Sequence, residues 1–107
     1  MAWTVETLNG AVDDELATLP ADLRARLVRV FDLIEAHGFQ HLPRDTVKHP
    51  EGKLWEIRIS AASGISRAIY VTATGQRVVI IRVFVKKTQK APLRELELAR
   101  QRTKEIK

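Results

Sequence analysis

The sequence predicts an α+β domain, residues 1–107 as one unit, in the order strand–helix–helix–strand–strand–strand–helix. Three observations carry this reading. Leu23, Leu27, Val30, Phe31 and Ile34 recur at the spacing of one helical face. Three strand-like runs, 54–60, 65–72 and 77–85, follow one another across the four-residue turns Ala61-Ala62-Ser63-Gly64 and Ala73-Thr74-Gly75-Gln76, as in an antiparallel meander. Pro92 then opens a last amphipathic segment.

In chain order, residues 2–8 alternate apolar Trp3 and Val5 with polar Thr4 and Glu6, which predicts a first strand. Asn9 is a natural cap for a short helix to about Thr18, with Asp13, Asp14 and Glu15 near its positive end. Pro20 suits the first turn of the second helix, and Gly38 ends it. Residues 39–53 read as loop, punctuated by Pro43, Pro50 and Gly52. The final helix runs from Leu93 to about Ile106, with Leu93, Leu96, Ala99 and Ile106 on one side. There is no repeat and no linker.

Composition narrows the function classes. Without cysteine there is no disulfide framework, thiolate metal site or cysteine nucleophile. The longest apolar run, Val78-Val79-Ile80-Ile81, is broken by Arg82, and the N-terminus lacks a signal-peptide pattern, so a soluble cytoplasmic protein without membrane attachment is expected. Net charge is +5, distributed as −5 over residues 1–23, +2 over 24–49, +3 over 50–85 and +5 over 86–107. A basic second half suits a polyanion or an acidic protein partner. His37, His41 and His49 lack the spacing of a metal site, and no cofactor motif is present.

The hairpin turns fix cross-strand pairs. Counting outward, Ser60 faces Ile65, Arg58 faces Arg67 and Glu56 faces Ile69. Across the second turn Thr72 faces Arg77, so Ile69 faces Ile80 and Arg67 faces Arg82. Arg58, Arg67 and Arg82 then form a row on one sheet face. Trp55, Ile57, Ile59, Ala68, Tyr70, Val79, Ile81 and Val83 occupy the other, which should receive the helices. Like charges side by side destabilise a sheet, whereas arginine forks grip phosphate. The row therefore predicts an anion site, with internal pairing to Glu56, Glu51 or acids of the last helix as the alternative. Lys86, Lys87 and Lys90 would extend the basic surface. Cleavage of RNA suits such a set: the ribose 2′-hydroxyl is the nucleophile, and cations stabilise the phosphorane. A Glu, a His or Tyr70 would move the proton.

The segments Lys53-Leu54-Trp55-Glu56-Ile57-Arg58 and Phe84-Val85-Lys86-Lys87-Thr88-Gln89-Lys90-Ala91-Pro92, with Arg67, Tyr70 and Glu95-Leu96-Glu97-Leu98-Ala99, closely resemble the phage-derived branch of the RelE/HigB toxin superfamily. The match spans roughly residues 47–103. It implies the RelE-like, microbial-ribonuclease-like fold and the toxin of a type II toxin–antitoxin pair. Such a toxin is a metal-independent endoribonuclease that cleaves mRNA, in many members on the ribosome, and so inhibits translation. Implied partners are mRNA and the ribosome, a cognate helix-turn-helix antitoxin, and operator DNA only through that antitoxin. The resemblance carries over to Lys53, Glu56, Arg58, Arg67, Tyr70, Phe84, Lys86 and Lys87; together with the arginine row and the basic link, the expected catalytic residues are Arg58, Arg67, Arg82, Tyr70 and Glu56, with Lys53, Lys86, Lys87 and Lys90 as RNA contacts. Arg82-Val83 departs from the His and small residue common in relatives, so weakened catalysis is expected. The alternatives are a non-catalytic RNA- or ribosome-binding module that blocks translation, and a protein that chiefly binds an antitoxin.

Overall fold

In the computed structural model, which describes residues 2–86 and 93–106, eight elements follow in sequence. They are β1 (Thr4–Thr7), α1 (Gly10–Ala17), α2 (Ala21–His37), β2 (Val47–Glu51), β3 (Leu54–Ala61), β4 (Gly64–Ala73), β5 (Arg77–Lys86) and α3 (Leu93–Arg102). Short 3₁₀ turns follow α2 and α3. The Asn9 side chain caps α1 by accepting the Val12 N–H at 3.2 Å. Helix α2 buries all five residues of its apolar stripe and stops at Gly38, whose φ of +73° is the left-handed value that favours glycine.

The strands form one sheet in the order β1-β5-β4-β3-β2, with β1 parallel to β5 and the other pairs antiparallel. Strand β2 lies inside the stretch expected to be loop. Its sequence Val-Lys-His-Pro-Glu has no clean alternation, and Pro50 removes a ladder donor, which an edge position with an irregular register tolerates.

The β3–β4 register is as counted from the turn: Ser60 faces Ile65, Arg58 faces Arg67 and Glu56 faces Ile69. The β4–β5 register is not. Ala73 faces Arg77, so the turn has one residue fewer than expected, with Gly75 and Gln76 both at positive φ. A bulge follows between Ile69 and Tyr70, whose partners are Arg82 and Ile80, leaving Ile81 over. The two one-residue shifts exchange the faces of 78–81 and then restore the original alternation. Val78 and Ile80, rather than Val79 and Ile81, therefore join Ile57, Ile59, Ala68, Tyr70 and Val83 in the core beneath α1 and α2.

Val79 and Ile81 lie on the opposite face with Leu54, Ile69, Val71 and Phe84. Leu96 and Ala99 of α3 cover them, so the arginine face also receives a helix, contrary to expectation. These apolar side chains give α3 a floor that the arginines alone would not. Leu93, expected on the buried side of the last helix, is 80% exposed, and the helix gives way to a 3₁₀ turn after Arg102.

Candidate functional site

Arg58 and Arg67 stand opposite each other on β3 and β4, on the face that carries α3. Glu56, two residues before Arg58, accepts a hydrogen bond from Arg67 Nη1 at 3.2 Å, and this pair is almost wholly buried. Lys86 closes the group from the end of β5, opposite Ile65 and 8% exposed. Burial lowers the Lys86 pKa from its usual value. Repulsion from Arg67 and then Arg58 lowers it further, and Glu56 partly compensates. Three cations thus gather around one carboxylate. Among the described residues, the Nε–H groups of Arg58 and Arg67 are buried with no hydrogen-bond acceptor. Buried donors without acceptors are costly, and a phosphate oxygen would satisfy them.

Arg82 is elsewhere. The shortened turn and the bulge put it opposite Ile69, while Phe84 takes the place beside Arg67 that the sequence assigned to it. The three-arginine row is therefore a pair. The Arg82 guanidinium lies 5.8 Å from the Phe84 ring centre and pairs with Glu15 and Glu95, each at 2.8 Å. Burial opposes its charge, but the bonds to Glu95 and Glu15 prevail and raise its pKa. Internal pairing, the alternative to an anion site, thus holds for Arg82. It also holds for Arg67 with Glu56, and Glu51 pairs with Arg100 of α3.

A supporting network explains how β5 tolerates its bulge. Strand β1 accompanies β5 only as far as Ile80. Beyond that point Glu15 accepts the Val83 N–H at 3.0 Å, and Arg102 donates to the Ile81 carbonyl at 2.8 Å. Glu15 and Arg102 also pair with each other at 2.9 Å. These groups bind α1 and α3 to the irregular part of β5. No sequence pattern marked this function for Glu15, which reads simply as an acid near a helix start.

The remaining expected residues separate. Tyr70 faces the core beneath α2, is 3% exposed, stacks on Phe39 at 5.8 Å, and has its pKa pushed up to about 12 by burial. It is on the wrong side of the sheet to meet Arg58 and Arg67. Lys53 is exposed in the β2–β3 turn, about 17 Å along the strand from Arg58 at the usual rise per residue. His49 stacks on Trp55 at 4.2 Å and bonds the Gly52 carbonyl, a turn-holding arrangement. Lys87 and Lys90 lie outside the described residues.

The mixed five-strand sheet with helices on both faces is the RelE fold. Two solved structures share the fold. One is an arginine-to-alanine double mutant of E. coli toxin RelE in the free state, with TM-score 0.57 and 16% identity over 100% of both chains. The other is the archaeal RelE–RelB complex from Pyrococcus horikoshii OT3, with TM-score 0.54 and 23% identity, covering 81% of this chain and 98% of that one. Residues 14–104 match the family described as phage derived protein Gp49-like (DUF891), and the chain belongs to that family. No curated protein sequence matches it.

Proposed function

We propose that the chain is the toxin of a toxin–antitoxin pair and a metal-independent endoribonuclease acting on mRNA, with Arg58, Arg67 and Lys86 as its phosphate-binding centre. The observation that carries this reading is the convergence of three cations on one carboxylate, with two arginine Nε–H groups that have no acceptor among the described residues. In the reaction the ribose 2′-oxygen attacks the adjacent phosphorus and the bond to the 5′-oxygen breaks, giving a 2′,3′-cyclic phosphate and a 5′-hydroxyl. Arg58 and Arg67 stabilise the charge that builds on the phosphorane oxygens. Glu56, the carboxylate of the cluster, takes the 2′-hydroxyl proton in this reading. Lys86, with its pKa lowered, is suited to protonate the departing 5′-oxygen. The family resemblance supports the ribosome as the setting and a helix-turn-helix antitoxin as the partner, with operator DNA reached only through it. The RelE–RelB neighbour supports the antitoxin.

The second reading, a module that blocks translation by binding alone, is favoured by the burial of Glu56 and Arg67, at 3% and 6% exposure. Induced expression with mapping of mRNA 5′ ends separates the two. Cleavage predicts new ends that fade with Arg58→Gln, a substitution that breaks no ion pair among the described residues. A loss of about 2–4 kcal/mol in transition-state stabilisation would slow cleavage roughly 30- to 1000-fold. Absence of new ends under the parent protein would favour blockade.

A further inference from the structure

On the outer side of β3 a second basic feature stands apart from the cluster described above. A groove of about 410 Å³ runs between α2 and the β3 edge, just past the point where β2 stops covering it. Its lining is largely apolar, with Val30, Ile59 and Thr46 all nearly buried. Its charged residues on α2 are Arg26 and Arg29, Arg58 borders it from the β3 edge, and no acidic residue lines it. None of these three arginines forms an ion pair among the described residues, whereas Arg67, Arg77, Arg82, Arg100 and Arg102 all do. The acid one turn before Arg26, Asp22, is engaged by the Leu23 and Ser63 amide N–H groups. Arg58 stands at the boundary: it borders the groove from the β3 edge, while its place opposite Arg67 turns its side chain towards the cluster on the α3 face.

We propose that this groove is a binding track for a single-stranded RNA backbone, with Arg26 and Arg29 holding phosphates next to the one at Arg58. The inference rests on the reading of the cluster as a phosphate site, and extends it around the β3 edge onto α2. Arg26 and Arg29 are three residues apart on one helix, so their Cβ atoms are about 5–6 Å apart and the two forks reach the same side. Unpaired guanidinium groups over an apolar lining fit a phosphodiester chain: the forks take phosphates bidentately, and the lining accepts sugar or base surface. Arg58 lies at the edge that separates groove from cluster, so a single RNA strand that crosses the β3 edge would meet both, which favours RNA over an acidic protein segment.

The test uses the full chain and two single-stranded RNAs carrying a 2′-O-methyl group at each position to block cleavage, one short enough to fill only the cluster and one long enough to cross the β3 edge. Affinity is measured against salt for the parent, for Arg26→Gln with Arg29→Gln, and for Arg94→Gln with Lys104→Gln as a charge-matched change on and after α3. For the long RNA, the groove variant should lose about 1.4 from the salt slope, so the parent's lead narrows about sevenfold between roughly 50 and 200 mM salt. Binding of the short RNA should not change. Equal losses in the groove and control variants would reduce the effect to general charge and overturn the proposal. So would unchanged long-RNA binding, including the case where only an acidic polypeptide such as polyglutamate loses affinity. If the parent cleaves no RNA but the groove variant still shows the slope loss, the cleavage reading fails while the track stands.

Discussion

Replacing Glu15 with alanine removes the carboxylate that ties α1 to the bulged part of β5. Glu15 accepts the Val83 N–H at 3.0 Å and pairs with Arg82 at 2.8 Å and Arg102 at 2.9 Å. The side chains of Glu15, Arg82 and Arg102 are 15%, 21% and 14% exposed, so water screens these pairs less than it does surface ones. A hydrogen bond to a charged group contributes about 1.5–3 kcal/mol, and opening a fully buried pair costs about 3–5 kcal/mol. Here both cations keep a second partner: Arg82 retains Glu95, and Arg102 retains the Ile81 carbonyl. The loss for Glu15→Ala should therefore fall at the lower end, about 2–3 kcal/mol, or roughly 8–20 °C in Tm for a domain of this size. Glu15→Gln keeps an acceptor for Val83 but no charge, and should lose about 1–2 kcal/mol. Urea unfolding at constant m-value measures both, and a double-mutant cycle with Arg102→Met should return a coupling of about 1–2 kcal/mol. A loss below about 0.5 kcal/mol for Glu15→Ala, or no coupling to Arg102, would refute the view that this network holds the bulge.

Tyr70 is the chain's one tyrosine, so absorbance at the tyrosinate band reads it directly; the folded protein should ionise near pH 12. Its folded pKa lies above the unfolded value of 10, so the associated stability is complete below pH 10 and is lost towards pH 12, up to about 2–3 kcal/mol; a midpoint near 10 in folded protein would contradict this. Lys86 has the opposite sign: its folded pKa is below 10.5, so its charge is a burden at neutral pH, relieved as pH rises through the folded value towards 10.5. The difference in unfolding free energy between parent and Lys86→Met should therefore change with pH in that window, and a difference flat in pH would count against it. Asn9→Ala removes the cap on Val12 and should cost about 1 kcal/mol by urea unfolding, with Asn9→Gly costing much less; equal losses would point to some other role for the side chain.

Much of the architecture could be read from local patterns because local forces decide it. The α2 stripe, the Asn9 cap and the Gly38 stop depend on neighbours a turn away, and each is found where the sequence places it. The Arg58–Arg67 pairing was legible for the same reason, since a tight turn sets the register within a few residues. Arg82 was not. Val78 to Ile81 is apolar on both faces, so it carries no alternation that could reveal a short turn or a bulge. What holds the bulge comes from Glu15 and Arg102, at opposite ends of the chain. Strand β2 escaped notice because its pairing with β3, rather than its own residues, makes it a strand. Lys86 looked like the start of a basic link, and only the strand's extra length brings it beside Arg67.

The parallel pairing of β1 with β5 also bears on the order of folding. Strands β2 to β5 are joined by tight connections, whereas Thr4 must find Arg77, more than seventy residues away. Closing that loop costs about 4 kcal/mol in chain entropy, against about 1 kcal/mol for the turn between β4 and β5. The meander can therefore assemble on its own contacts, and β1 docks after its site on β5 exists. The strand that comes first in the sequence is the last to be placed. The two tryptophans report on separate parts of the sheet: Trp55 sits in β3, and Trp3, just before β1, packs on Phe39 at 5.3 Å. In refolding, the Trp55 signal should precede that of Trp3, and a slow phase confined to Trp3 would be the mark of the sheet being closed by its first strand.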